Sequence, residues 1–544
     1  MKTVPLLAST ILFTLFISAC GGGGGSAPRP SPVNPTPKPP AESRWTAGVF
    51  PDESEFKDKC AVVRTTNDID GNPYPDTLGT SFDEKMWLRS WSNNTYLWYD
   101  EIRDRNPDDF ARTLDYFDIL VTEQRTASGA QKDNFHFAQP TEEFESFSET
   151  GSSSGYGINW AFISSTPPRN LTISTIEADS PSSEQGLQRG DRLISINGID
   201  FVDSSVDSDV DAINAALRPS EDAVETEFVF ERVDGSEINV TLTSGTFSTS
   251  FVNNAKVIDT NAGRVGYVRF DGFQRPGQTP LINTFQQFID ENVTELVLDI
   301  RYNGGGLVAM SAQLGYMIAG PNQTNNRNFE TFQFNDKHPT IDPLTGDVIR
   351  PVPFFDREID WESGRFTNNT LPNLGLTRVY VITTEDTCSA SESLINGLRG
   401  IDVEVVQIGG TTCGKPFGFQ ATDNCGTTYF TIQFQGVNDK GFGEFSDGFK
   451  PLSNPQFDDE LPGCEVNDDF TKSLGDENEG MLSAALFKLN NGTCPTATNA
   501  TTTAHASKKS SSTNSKGDIF DTRYRSFLLE NSIYTELETL DSQQ

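Results

Sequence analysis

The sequence predicts a multidomain chain of mixed α/β and α+β class, and three observations predict it. The 544 residues allow about three or four folded units. From 262 to about 452, apolar strand-like runs alternate with helical stretches, the pattern of βαβ units around a mostly parallel sheet. The pattern changes to short strands and turns over 150–247, and it is aromatic and helix-like over 45–149.

Taken in order, residues 1–19 open on Met1-Lys2, run through the apolar Leu12-Phe13-Thr14-Leu15-Phe16 and end on Ile17-Ser18-Ala19 before Cys20. A positive start, a short apolar core and small residues before a break make a secretory signal. The apolar run sits near the lower limit for a membrane span. Small residues directly before a Cys resemble the bacterial lipobox, which makes Cys20 the expected lipidation site. Gly21 follows where Asp is absent, and that resemblance implies the outer membrane of a Gram-negative cell, facing the periplasm or the cell surface. Residues 20–44 are Gly-rich and then Pro-rich, an expected tether. No later segment is long and apolar enough to span a bilayer, so the expectation is an anchored chain that does not cross it.

Residues 45–149 read as an N-terminal helical domain, with Glu84 to Trp91 and Tyr96 to Tyr99 as its helix-like segments. Residues 248–494 form the expected core. Its strands are Val265 to Phe270, Leu296 to Ile300, Val379 to Ile382 and Val403 to Ile408, with helices near 280–291, 307–318 and 390–399. Residues 320–372 read as an insertion of loops. Residues 495–544 read as a low-complexity segment followed by a weakly periodic tail.

Forty-one basic residues face 77 acidic ones, for a net charge of -36. Such a surface repels polyanions, so no nucleic-acid partner is expected. Only His136, His338 and His505 are present, on distant segments, which excludes a His-rich metal site and disfavours a Ser-His-Asp triad. Six Cys follow Cys20, and an exported compartment lets them pair in any of fifteen ways. Cys413 and Cys425 are close in sequence and form the expected bridge. No CxxC pair exists, so no metal is expected.

Within 150–247, Gly155-Tyr156-Gly157-Ile158 precedes Asp179-Ser180-Pro181 and Gly186-Leu187-Gln188-Arg189-Gly190-Asp191-Arg192-Leu193-Ile194-Ser195-Ile196-Asn197-Gly198. The second half resembles the PDZ signature, with Asp211 to Leu217 as the helix beside the groove. By that resemblance the amides of Gly155, Tyr156, Gly157 and Ile158 capture a C-terminal carboxylate, and the peptide adds as a strand.

Three segments of the core share one chemistry. Asp299-Ile300-Arg301-Tyr302-Asn303-Gly304-Gly305-Gly306 is a glycine turn after a buried strand, and its exposed N–H groups can hold an oxyanion. No Gly-Lys-Ser/Thr follows, so it is not a P-loop. Thr387-Cys388-Ser389-Ala390-Ser391-Glu392 opens a helix, whose N-terminus favours negative charge. Alone, it would be a plain capping box. Thr412-Cys413-Gly414-Lys415-Pro416 carries a Lys that could serve as a base only if burial lowered its pKa.

Together these segments resemble the C-terminal-processing, or tail-specific, serine peptidase family over roughly residues 80–452. The resemblance implies a crotonase/ClpP-like βαβ peptidase core, Ser389 as nucleophile, Lys415 as base, and Gly305 and Ala390 as the oxyanion hole. It implies no cofactor, and protein or peptide substrates with accessible C-termini. Glu392 reads as a supporting or capping partner. The chain departs from the family at Gly304, where Pro is usual, and at Gln420, which lies five rather than four residues after Lys415. Cys388 and Ser391 are the rival nucleophiles. A PDZ adaptor without strong catalysis is the alternative reading.

Overall fold

The computed structural model describes residues 44–126, 128–219 and 222–496. The expected signal segment, Cys20, nearly all of the tether and nearly all of the tail therefore lie outside the described residues.

The alternating segments build one seven-stranded sheet. Its order is Val252–Thr260, Gly263–Phe270, Glu295–Asp299, Arg378–Thr383, Glu404–Gly409, Glu460–Glu465 and Lys450–Leu452. The first pair is antiparallel and every later pair is parallel. Parallel neighbours need crossovers, and the helices Gln278–Asp290, Val308–Ala319 and Ala390–Gly400 lie on them. Strands buried on both faces read as near-continuous apolar runs. Leu296 and Leu298 join the core of Phe285, Phe288, Leu314, Leu394 and Leu398. Val297 faces the opposite way, with Met481 and Leu482 of the helix Gly480–Asn491. Val379 and Val381 against Tyr380 and Ile382 repeat that period of two.

Residues 150–247 form a separate sheet in the order Glu237–Thr243, Glu225–Glu231, Arg192–Ile196, Asn170–Ile176, Ile158–Ser164. The helix Asp207–Leu217 covers it, and its Ile213, Ala216 and Leu217 share a core with Trp160, Leu193, Ile196 and Phe228. Ser152–Gly155 and Gly245–Ser248 pair antiparallel where the chain enters and leaves. Arg189 fastens this unit to the core: its guanidinium donates to Tyr302 Oη (2.6 Å) and Asp468 Oδ1 (2.6 Å), and lies 4.4 Å from the Phe470 ring centre.

Two expectations are corrected. Residues 320–372 are not an insertion of loops. Asn328–Phe334 pairs with Phe434–Val437, Arg357–Asp360 pairs with Arg365–Thr370, and Phe329, Phe332 and Phe354 enter the core. The strand partner of Asn328–Phe334 lies about 100 residues away, so local pattern could not reveal it. Within 45–149 the helix Ser81–Thr95 is present, capped by Thr80 Oγ1 accepting from the Asp83 N–H (3.3 Å). Tyr96 to Tyr99 does not continue it; Tyr96 is extended and only a short 3-10 turn, Tyr99–Glu101, follows. The strand Phe137–Pro140 pairs with Thr427–Phe430, so this region shares a sheet with the core.

Glu330, on the strand Asn328–Phe334, is buried against the helix Ala390–Gly400, where Ser393 Oγ donates to its Oε1 (3.2 Å). Desolvation pushes its carboxyl up to about 8. The folded state therefore keeps a proton that the unfolded chain releases near the usual value of 4.5. Stability should fall as pH rises from about 4.5 to about 8 and level off above. Glu330→Gln should remove that slope. Melts of both proteins across pH should diverge through this window, reaching on the order of 5 kcal/mol at its upper end. Parallel curves would show that Glu330 does not hold its proton.

Candidate active site

Three adjacent parallel strands, Glu295–Asp299, Arg378–Thr383 and Glu404–Gly409, end at the same edge of the sheet. The glycine turn, the Ser389 turn and the Lys415 turn each follow one of these ends. In an open α/β sheet, ligands bind outside the carboxyl ends of the strands.

Ser389 caps the helix Ala390–Gly400 with φ +59° and ψ -116°. A non-glycine residue in that region is strained, and neighbours must hold it there. Its Oγ is buried and faces the Glu392 N–H in a capping box, but makes no hydrogen bond of normal geometry among the described residues. Ser391 Oγ donates to the Asn303 carbonyl (2.9 Å), so its hydroxyl is committed to the fold. Cys388 has no thiol to offer, because it is bonded to Cys413.

The glycine turn meets the helix start at Gly305. A Cβ there would lie 2.8 Å from Ser389 Cβ and 3.1 Å from Ala390 N, and its φ is +118°, so only glycine fits. Ala390 supplies the first N–H of the helix. The Gly305 N–H is already donated to Asn303 Oδ1 (2.9 Å), so an oxyanion would have to take it from that carboxamide. Asn303 Nδ2 in turn donates to the Phe270 carbonyl (2.9 Å), which fixes the turn on its neighbouring strand.

Lys415 is fully buried. Its Nζ sits 4.2 Å from the Phe419 ring centre and 5.0 Å from that of Phe135. Ring faces and the carboxylates of Asp133 and Glu392 favour the ammonium. Desolvation outweighs them and pushes Lys415 down to about 7.

Glu392 joins the two turns. Its Oε2 accepts the N–H groups of Ser389 (3.1 Å) and Lys415 (2.8 Å). Its Oε1 accepts the Gly414 N–H (2.9 Å) and Thr412 Oγ1 (2.6 Å). Burial raises the carboxyl, and these four donors oppose that rise. Cys388, Glu392 and Cys413 lie close enough to resemble a metal trio, but the two sulfurs are bonded to each other and the carboxylate is already saturated.

The expected Cys413–Cys425 bridge is wrong. The pairs are Cys60–Cys425, Cys388–Cys413 and Cys464–Cys494. After Cys413 the chain leaves the site to form the hairpin Thr422–Asn424 and Thr427–Phe430, whose turn carries Cys425 away to Cys60. Gln420 is half-buried, and its N–H donates to Gln433 Oε1 (2.8 Å). No local pattern marks Asp133 and Phe135, which reach Lys415 from about 280 residues away. His136 is held by Thr431 Oγ1 (3.0 Å) and the Phe117 carbonyl (2.8 Å), so it is a packing residue.

In the smaller domain, Gly157 has φ +75°, and a Cβ there would overlap Ser180. Tyr156 is buried, with its Oη 2.7 Å from Thr226 Oγ1. Gly155 ends one strand and Ile158 begins the next, Ile158–Ser164, at the edge of its sheet. An edge strand offers unpaired backbone groups to an added peptide.

Residues 264–437 match the family model described as peptidase family S41, and residues 172–230 match a PDZ-domain model. A carboxyl-terminal-processing protease from Synechocystis sp. is 31% identical over 163 residues, covering 29% of this chain and 36% of that protein. The chloroplastic carboxyl-terminal-processing peptidase 3 of Arabidopsis thaliana is 28% identical over 183 residues, 30% of this chain and 33% of that protein. The chain thus spans about a third of the length of these curated relatives. A crystal structure from Bacteroides fragilis, provisionally described as an S41 protease, covers 77% of this chain and 98% of its own. Its TM-score of 0.54 at 23% identity shows a shared fold. The chain therefore carries a peptidase family S41 domain together with a PDZ domain, and carboxyl-terminal-processing proteases are among its relatives.

Proposed function

We propose that this chain is a lipid-anchored serine endopeptidase of the cell envelope that works through a Ser389/Lys415 dyad and reads the C-terminal tails of its protein substrates. The observation that carries this reading is Lys415, fully buried and pushed down to about 7, on a turn tied through Glu392 to the backbone of Ser389. A buried, weakened ammonium lowers stability, and a tail-binding adaptor has no use for it. In the mechanism, neutral Lys415 takes the Ser389 proton as Oγ attacks the peptide carbonyl, then delivers it to the leaving amine. The Ala390 N–H, with that of Gly305 once Asn303 yields it, faces the developing oxyanion. The same Lys then activates the water that releases the acyl group. Casein turnover by the wild type, absent in Ser389→Ala, tests the reading; equal turnover overturns it.

The tail-reading part rests on the Gly155-to-Ile158 segment and its edge strand. Amidating a substrate's C-terminus removes the charge the loop would capture. KM for the amide should rise about tenfold over the acid, the loss expected for a charged hydrogen bond. Equal handling of both peptides would show that the groove does not read the tail.

The anchor rests on Ile17-Ser18-Ala19-Cys20 after a short apolar core. Three disulfides among the described residues suit an oxidising compartment outside the cytoplasm. Cys20→Ala should move the protein from the outer-membrane fraction to the soluble one. Unchanged fractionation would refute lipidation.

A further inference from the structure

We infer that the Cys388–Cys413 disulfide is a positioning element of the active site, so that turnover depends on the oxidised bond; this rests on the peptidase reading. Cys388 directly precedes Ser389, and Cys413 lies two residues before Lys415. The bond therefore ties the turn that carries the nucleophile to the turn that carries the base. Noncovalent links run beside it. The Cys413 N–H donates to the Thr387 carbonyl (3.0 Å), and Glu392 accepts from both Ser389 and Lys415. Ser389 sits at a strained positive φ, a geometry that persists only when its surroundings hold it.

The Lys415 turn has a second attachment. The Thr412 N–H donates to the Phe449 carbonyl (3.1 Å), and the Phe449 N–H donates to Thr412 Oγ1 (2.7 Å). Cleaving the disulfide therefore leaves the turn fixed to residue 449 and hydrogen-bonded to Glu392, but removes its covalent tie to the residue before Ser389. The fold survives, and what is lost is registration between nucleophile and base. A misplacement of about 1 Å between reacting groups costs on the order of 100-fold in rate.

Cys413 is half-buried, which gives a reductant access, while Cys388 is fully buried. A thiolate of a dithiol attacks Cys413 Sγ and breaks the Sγ–Sγ bond, releasing Cys388 as a thiol. The second thiolate of the reagent then closes on the first and frees Cys413. Two electrons and two protons pass to the cysteines, and the dithiol becomes a cyclic disulfide.

The test uses the full-length protein: wild type, Cys388→Ala/Cys413→Ala, and Cys60→Ala/Cys425→Ala as a control for loss of a bridge elsewhere. Three readouts are taken: kcat and KM on a peptide, labelling of Ser389 by a fluorophosphonate, and hydrogen exchange at the Gly414 and Lys415 amides. The Cys388/Cys413 variant should lose about 10- to 100-fold in kcat with KM within about twofold. It should label slowly and exchange faster at Gly414 and Lys415. The control should keep wild-type kcat. Wild type treated briefly with dithiothreitol should match the Cys388/Cys413 variant and recover on reoxidation. Wild-type kcat in that variant would overturn the proposal, and so would a loss of kcat with unchanged exchange at Gly414 and Lys415. Wild type that shows no Ser389-dependent turnover, yet responds in exchange, would instead overturn the peptidase reading and leave the bridge as a structural link.

Discussion

Ser389→Ala is expected to lower kcat/KM on casein or a peptide by about 1000-fold or more while leaving the melting temperature unchanged or slightly raised. Loss of a nucleophile removes the covalent route, and what survives comes from binding and oxyanion contacts. The stability half of the expectation comes from the hydroxyl's surroundings. Ser389 Oγ is buried without a hydrogen bond of normal geometry among the described residues. A buried hydroxyl without a well-formed bond costs roughly 1–3 kcal/mol, which offsets the loss of its contact with the Glu392 N–H. The backbone bond from the Ser389 N–H to Glu392 Oε2 (3.1 Å) survives the change. Thermal melts and turnover on the same preparations decide the matter. A variant that melts several degrees lower would mean that the hydroxyl holds the helix start, and one that keeps wild-type turnover would remove Ser389 from the chemistry.

Lys415 variants carry the second large effect, and here pH is the diagnostic. At its ordinary pKa a Lys is neutral in only about one molecule in 3000 at pH 7. With Lys415 pushed down to about 7, about half of the molecules hold the neutral base at that pH. Turnover should rise with pH along one limb and level off above about 7. The groups that set this limb are the carboxylates of Asp133 and Glu392, which raise it, and the desolvating pocket, which lowers it. Lys415→Arg keeps a positive charge and should be inactive, because guanidinium does not release its proton in this range. Lys415→Met should be equally inactive and more stable than the wild type. The folded pKa lies below the unfolded value of 10.5, so the unfolded chain binds more protons between about 7 and 10.5. The wild type thus carries its full penalty below about pH 7 and sheds it as pH rises toward 10.5. The stability gain of Lys415→Met should be largest in acid and vanish at high pH. A pH–rate profile of wild type and paired melts of the variant check both halves. Wild-type turnover in either variant would end the Ser/Lys mechanism.

Much of the fold is legible in the chain because its central strands are buried on both faces. Leu296-Val297-Leu298 and Val379-Tyr380-Val381-Ile382 read as continuous apolar runs, and the crossover helix between them, Val308–Ala319, is buried at every position. The sequence determined these elements, the glycine turn after Asp299 and the Ser at the opening of a helix, since each is a local matter of backbone freedom and periodicity. It also determined Glu392 as a partner of Ser389, because the two lie one helical turn apart. Only the tertiary structure decided how distant segments combine. The order of strands in the sheet brings the turns at 299–306, 384–389 and 410–415 to one edge, although about 110 residues separate the first from the last. It pairs Cys388 with Cys413 and sends Cys425 to Cys60, because a disulfide follows the distance between Cα atoms and ignores separation along the chain. It places Asp133 and Phe135 beside Lys415 and lets Asn303 take the Gly305 N–H. The pKa of Lys415 belongs to the same class. Desolvation is set by everything packed around a group, and the residues that bury this lysine are scattered from Phe135 to Phe419.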